Sequence, residues 1–181
     1  TQGLRDIFTV KERKKEIKGL NVCLIGDILH SRVARSNIWG LTKLGAKVTL
    51  CGPSTLMPIG IETTGVEVTY DLNKVIKESD VLIVLRRQKE RQQEKFLPSV
   101  REYAKMFGIN KEKLKYAKKN VLIMHPGPTN RGVELSAEVA DGEYSVILEQ
   151  VTNGVAVRMA VLYLLAGTKA KSAETKESEG E

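Results

Sequence analysis

The sequence predicts a doubly wound α/β domain, a parallel sheet with helices on both faces. Three observations predict it. Short apolar runs alternate with segments of helical periodicity. The runs carry few polar alternations, as in Val81-Leu82-Ile83-Val84-Leu85, so both faces of each strand should be covered. Each run closes on glycine, proline or charge, the punctuation of buried strands.

The elements follow in order. Gly3 to Val10 carries Leu4, Ile7 and Phe8 on one helical face, and Lys18-Gly19-Leu20 breaks it. Asn21 to Ile25 is a strand closed by Gly26-Asp27. Ser31 caps a helix that runs to Leu44 and stops at Gly45. Lys47 to Leu50 is the second strand and Val66 to Tyr70 the third. Asp71 caps a helix through Glu78. Val81 to Leu85 is a fully apolar strand. Ser99 to Phe107 and Lys111 to Lys118 read as helices, Val121 to Met124 as the last strand. The final helix, Glu149 to Ala166, is apolar nearly all round, with Val151, Val155, Met159 and Leu162 on one side. Such a helix needs cover on two sides, and one small sheet offers one. From Thr168 to Glu181 the chain is small, polar and charged, and is expected to be disordered.

Composition narrows the function. The length of 181 residues suits one domain. The net charge of +7 admits nucleic acid, acidic membrane or small anionic ligands. Lys and Arg are interleaved with Glu, which reads as solvated helix surface. Aromatics make up 5% with no basic interleaving, so no single-strand stacking platform and no nucleic-acid partner are expected. Cys23 and Cys51 lie inside apolar runs and read as buried free thiols of a reducing compartment. No signal peptide or bilayer-long apolar run is present, so a cytoplasmic protein without a membrane partner is expected. The chain opens on Thr1 rather than Met, which reads as a cut start.

Three strand ends carry the polar residues of interest. After the first comes Gly26-Asp27-Ile28-Leu29-His30-Ser31-Arg32, where a helix N-terminus and Arg32 suit an anion. Taken alone, Arg32 reads first as a surface residue of a first turn. Asp27 suits capping better than acid–base work. After Leu85 comes Arg86-Arg87-Gln88-Lys89-Glu90-Arg91, either a solvated loop or charge placed where open sheets keep their ligands. The third is His125-Pro126-Gly127-Pro128-Thr129-Asn130-Arg131-Gly132. Its prolines remove backbone donors and leave a stiff rack of carbonyl acceptors. The Gly127-Pro128 bond is a candidate for the cis isomer. His125 reads as holding the turn rather than as a general base. Neither His30 nor His125 has metal-ligand spacing, and no dinucleotide fingerprint, phosphate loop or nucleophile elbow occurs. No metal or cofactor is expected. The three ends together suit a small dicarboxylate or phosphorylated ligand.

Three strings, in order and at matching separation, resemble the catalytic chain family of aspartate carbamoyltransferase. They are Gly26-Asp27-x-x-His30-Ser31-Arg32-Val33-x-Arg35-Ser36, Leu85-Arg86-x-Gln88-Lys89-Glu90-Arg91 and His125-Pro126-Gly127-Pro128-x-Asn130-Arg131-Gly132. The similarity runs from Thr1 to about Ala166. The resemblance implies transfer of a carbamoyl group from carbamoyl phosphate to L-aspartate in pyrimidine synthesis. It implies that Arg32 and Arg86 hold the aspartate carboxylates and that Gln88 supports them. It implies that the backbone of Pro126, Gly127 and Pro128 receives the carbamoyl amino group, through a turn that is typically cis. Thr1-Gln2 matches the end of a His-Pro-x-Gln motif, so Gln2 is the implied carbamoyl contact. The Arg-x-Gln-Lys-Glu-Arg string favours aspartate over the sibling ornithine enzymes.

The family's Ser-Thr-Arg-Thr phosphate motif, its further arginine and its motif histidine are absent from these residues. No complete catalytic set is therefore expected here. The implied plan is the start of an interdomain helix (1–10), an aspartate-binding domain (11–148), a helix that packs on a first domain (149–167) and a tail (168–181). The resemblance also implies a homotrimer, with regulatory or dihydroorotase chains as further partners. Three other readings stay open: a free-standing dicarboxylate-binding domain, an interaction domain that docks through the last and first helices, and an ornithine carbamoyltransferase-like relative.

Overall fold

The computed structural model describes residues 1–87 and 99–177, with side chains up to residue 166. Helix α1 (Gln2–Lys14) leads into β1 (Asn21–Ile25), α2 (Arg32–Lys43), β2 (Lys47–Cys51) and β3 (Glu67–Thr69). There follow α3 (Leu72–Glu78), β4 (Val81–Val84), α4 (Val100–Phe107), α5 (Lys111–Leu114), β5 (Leu122–Met124), α6 (Ala137–Ala140) and α7 (Ile147–Glu177). The five strands form one parallel sheet in the order β3-β2-β1-β4-β5.

Strand alternation sorts the core into two layers. Val22, Leu24, Val81, Ile83 and Met124 face one side, where Ile38 and Leu41 of α2 and Val10 of α1 pack on them. Cys23, Ile25, Leu82, Val84 and Ile123 face the other, under Leu72, Val75 and Ile76 of α3 and Tyr103 and Phe107 of α4. Helices therefore cover both faces, as expected. Cys23 and Cys51 are buried free thiols.

Local signals set the helix starts. The Ser31 hydroxyl accepts from the Ala34 N–H at 3.1 Å. Asp71 accepts from the Asn73 and Lys74 amides. Ser99 and Glu102 form a reciprocal capping box.

The helices depart from expectation in three places. Helix α1 runs to Lys14, short of the Lys18-Gly19-Leu20 break, but buries a different face. Its inward stripe is Gly3, Asp6, Thr9 and Val10, whereas Leu4 and Phe8 are 54% and 40% exposed. Close approach to α2 explains the small residues: a Cβ on Gly3 would lie 2.8 Å from the Ser36 Cβ. Helix α5 stops at Leu114, and the chain continues to Ala117 in i→i+3 turns instead of reaching Lys118 as helix. Helix α7 begins at Ile147 and runs to Glu177, across the segment from Thr168 expected to be disordered. Residues 168–177 contain Ala, Lys and Glu but no Gly or Pro, so nothing local ends the helix.

Helix α7 turns its small and polar side inward. Gln150 and Gly154 are buried against α1, while Val151, Val155, Met159 and Leu162 are 54–68% exposed. Among the described residues no helix is long and apolar enough to cross a membrane.

Candidate functional site

The chain leaves β1 toward β2 on one side, and β4 lies on the other, so the sheet reverses its winding between β1 and β4. A crevice opens at such a switch point beyond the carboxyl ends of the strands. The segments after β1, β4 and β5 carry the expected residues, and those strands are neighbours.

After β1, Gly26 has φ 120°, a backbone that disfavours side chains. A Cβ there would also meet the Tyr103 hydroxyl at 2.8 Å. Asp27 is buried and does not cap α2; Ser31 takes that role. The Asp27 carboxylate instead accepts the His30 N–H at 3.1 Å and lies 3.0 Å from His30 Nδ1, closing the turn. Arg32, the first residue of α2, is exposed at this edge.

After β4, Arg86 is half-buried and Arg87 buried. The Arg87 guanidinium sits 5.6 Å from the Tyr103 ring centroid, on its face. Gln88 and the rest of its string, Lys89-Glu90-Arg91, lie outside the described residues. Buried Glu134 ties this strand end to the next. Its carboxylate accepts the Arg87 N–H at 2.8 Å, the Asn130 N–H at 2.8 Å and Asn130 Nδ2 at 2.6 Å. The loop beginning at Arg86 and the loop following Pro128 are thereby held on one side chain.

After β5, the Gly127-Pro128 peptide is cis and Gly127 has φ 74°. A Cβ on Gly127 would meet nothing within 4 Å, so the turn faces open space. No hydrogen bond among the described residues uses the carbonyls of Pro126, Gly127 or Pro128.

His125 staples this turn. Its Nδ1 accepts the Gly127 N–H at 2.9 Å, which puts the ring proton on Nε2. Burial, then the positive charges of Arg86 and Arg5, push its pKa down to about 4. The ring is therefore neutral when folded and suits a scaffold better than a general base. The sign of the pH effect follows. An unfolded histidine takes up a proton near pH 6.5, and the folded one resists until about 4. Stability from this residue is present above pH 6.5 and lost as pH falls toward 4. Between pH 7 and 5 the loss is about 2 kcal/mol. Urea unfolding at the two pH values, wild type against His125→Asn, should show that difference shrink in the variant.

Behind the turn lies a polar network that sequence reasoning missed. The His125 N–H donates to Gln150 Oε1 at 2.9 Å. Gln150 Nε2 donates to Asp6 Oδ1 at 2.9 Å, and Asn37 Nδ2 to Asp6 Oδ2 at 2.9 Å. Gln2 Nε2 reaches Asp6 Oδ1 at 3.2 Å, and Arg5 binds the same oxygen at 3.1 Å. Burial pushes the Asp6 carboxyl up, and donation from Asn37, the Arg5 charge and Gln150 pull it back. The only trace of this in the sequence was a polar residue inside each of two apolar helical patterns. Asp6 and Gln150 are too far apart in sequence to be paired without the fold.

Among the described residues no His, Cys, Asp and Glu cluster could hold a metal ion. The arrangement offers cationic side chains at two strand ends and open carbonyls at a third.

The fold defines a doubly wound α/β domain with its switch point between β1 and β4. The chain belongs to the aspartate/ornithine carbamoyltransferase family, whose Asp/Orn binding domain model matches residues 18–165. It is 64% identical over 165 residues to the aspartate carbamoyltransferase catalytic subunit of Syntrophobacter fumaroxidans, covering 91% of this chain and 54% of that one. The chain spans about half the length of the curated relatives it matches. Among solved structures, aspartate transcarbamoylase from Trypanosoma cruzi in complex with carbamoyl phosphate and aspartate aligns with a TM-score of 0.76 at 28% identity, over 90% of this chain and 55% of that one. Ornithine carbamoyltransferase from Pyrococcus furiosus aligns with a TM-score of 0.75 at 31% identity, over 89% of this chain and 54% of that one.

Proposed function

We propose that this chain is the aspartate-binding half of an aspartate carbamoyltransferase. The whole enzyme joins L-aspartate to the carbamoyl group of carbamoyl phosphate, giving N-carbamoyl-L-aspartate and phosphate for de novo pyrimidine synthesis. The observation that carries the reading is that the segments holding Arg32, Arg86 and the cis Pro126-Gly127-Pro128 turn follow three neighbouring strands. Two guanidinium groups suit the two carboxylates of aspartate. They would repel the side-chain ammonium of ornithine, and the identity to subunits named for aspartate points the same way.

In this reading Arg32 and Arg86 orient aspartate, with Gln88 in support. The carbonyls at Pro126 and Gly127 accept from the carbamoyl NH2, and Gln2 contacts the same group. The aspartate amine forms a C–N bond to the carbamoyl carbon. The C–O bond to phosphate breaks, phosphate leaves with the electron pair, and the proton given up by the amine ends on the departing phosphate. The chemistry is mostly positioning and charge stabilisation.

The phosphate-clamping groups belong to a first domain, which packs on the exposed Val151, Val155, Met159 and Leu162 face of α7 and on α1. In this reading residues 1–10 start the interdomain helix and 149–167 form the helix facing that domain. The enzyme is cytoplasmic and works as a homotrimer. No cofactor takes part.

The test is substrate competition. The full-length catalytic chain, offered equal L-aspartate and L-ornithine with carbamoyl phosphate, is expected to yield N-carbamoyl-L-aspartate at least about 100-fold faster than citrulline. Preferential formation of citrulline would overturn the aspartate assignment.

A further inference from the structure

We infer that Asp6 and Gln150 are positioning residues that aim the two carbamoyl-binding elements, Gln2 and the His125–Pro128 turn. The inference rests on the proposed transferase reading and concerns how that site is held.

A carboxylate offers acceptors and no donor. Asp6, fully buried, therefore draws the amide nitrogens of both Gln2 and Gln150 toward itself, at 3.2 and 2.9 Å. Each glutamine is left with its Oε1 pointing away from Asp6. On Gln150 that oxygen accepts the His125 N–H at 2.9 Å. His125 follows directly on β5, and its own Nδ1 holds the Gly127 N–H at 2.9 Å. One continuous chain of hydrogen bonds thus runs from α1 through α7 to the peptide beside the open carbonyls. On Gln2 the same geometry presents Oε1 as the acceptor end, the polarity a carbamoyl NH2 requires. Asn37, donating to Oδ2 at 2.9 Å, and Arg5, a further donor on the shared Oδ1 at 3.1 Å, fix the Asp6 rotamer. One buried carboxylate therefore sets the direction of acceptors contributed from α1 and from the turn after β5. The hydrogen bonds of this chain come from α1, α7 and the turn after β5, so their loss is read on the carbamoyl side of the site, apart from aspartate affinity.

A network that merely glued α1 to α7 would affect stability alone. A positioning network affects the chemical step while leaving aspartate affinity in place. The discriminating variants are Asp6→Asn, which keeps the shape and replaces one acceptor by a donor, and Gln150→Met, which keeps the length and removes both hydrogen bonds. They are made in the full-length catalytic chain and read by steady-state kinetics with L-aspartate and carbamoyl phosphate. Each is expected to lower kcat by about 10–100-fold, the scale of a sub-ångström to ångström misplacement of a reacting group. The KM for aspartate should stay within about threefold. The double variant should fall no further than the worse single one, because both break the same chain. If Gln150→Met does not fold, Asp6→Asn decides alone. An unchanged kcat, or a fall in thermal midpoint with kcat intact, would overturn the inference while an active wild type leaves the transferase reading standing. A wild type that carbamoylates no aspartate would overturn both.

Discussion

Arg86→Ala in the full-length catalytic chain is expected to lower kcat/KM for aspartate by about 10²–10⁴. Arg86 leaves β4 at the switch point of the sheet, and the proposed reading gives it one of the two aspartate carboxylates. Truncating one partner of a hydrogen-bonded charge pair in a closed site costs about 3–5 kcal/mol, which sets that range. Arg86→Lys keeps the charge and loses the planar fork, so it should fall between wild type and Ala. A second readout is independent of turnover. The Arg86 charge helps hold the His125 pKa down, after burial. In Arg86→Ala the His125 ring, followed by NMR, should therefore titrate at higher pH than in wild type. Catalysis within threefold of wild type would remove Arg86 from the site.

Much of the fold was legible because local chemistry writes it. Ser31, Asp71 and Ser99 are caps that sequence alone marks, and the apolar runs give the strands to within a residue or two. The site was legible in part for a related reason. Charged or proline-rich segments that begin where an apolar strand ends are expected to gather at one sheet edge, and the segments opening with Arg86 and Pro126 do so.

What escaped depends on tertiary partners. Leu4 and Phe8 look like a core stripe, yet the helix is rotated so that Asp6 and Thr9 face inward, because their partners come from α2 and α7. Asp27 looks like a helix cap, but the chain makes one more turn first and Ser31 is better placed. Glu134 reads as one charge among many until the loops at Arg87 and Asn130 close on it. The apolar surround of α7 was visible in sequence, and its outward face remains exposed in the domain by itself.

The second large effect concerns what this domain does in isolation. In the proposed reading the open carbonyls and arginines position a carbamoyl group and an aspartate, but none of these residues clamps the leaving phosphate. Each lost stabiliser of developing charge costs about 10²–10³ in rate, and the proposed first domain supplies several. The chain alone should then be slower than the completed site by a factor on the order of 10⁴ or more. Docking of the first domain should cover Val151, Val155, Met159 and Leu162 and protect them from solvent. The most direct measurement is a carbamoylation assay on the purified chain, with and without a separately supplied first domain. No N-carbamoyl-L-aspartate above the uncatalysed background is expected from the chain alone, and robust formation is expected once the first domain is added. Robust turnover by the chain alone, or none after addition of a folded first domain that binds it, would overturn the assignment of this chain as half of the site.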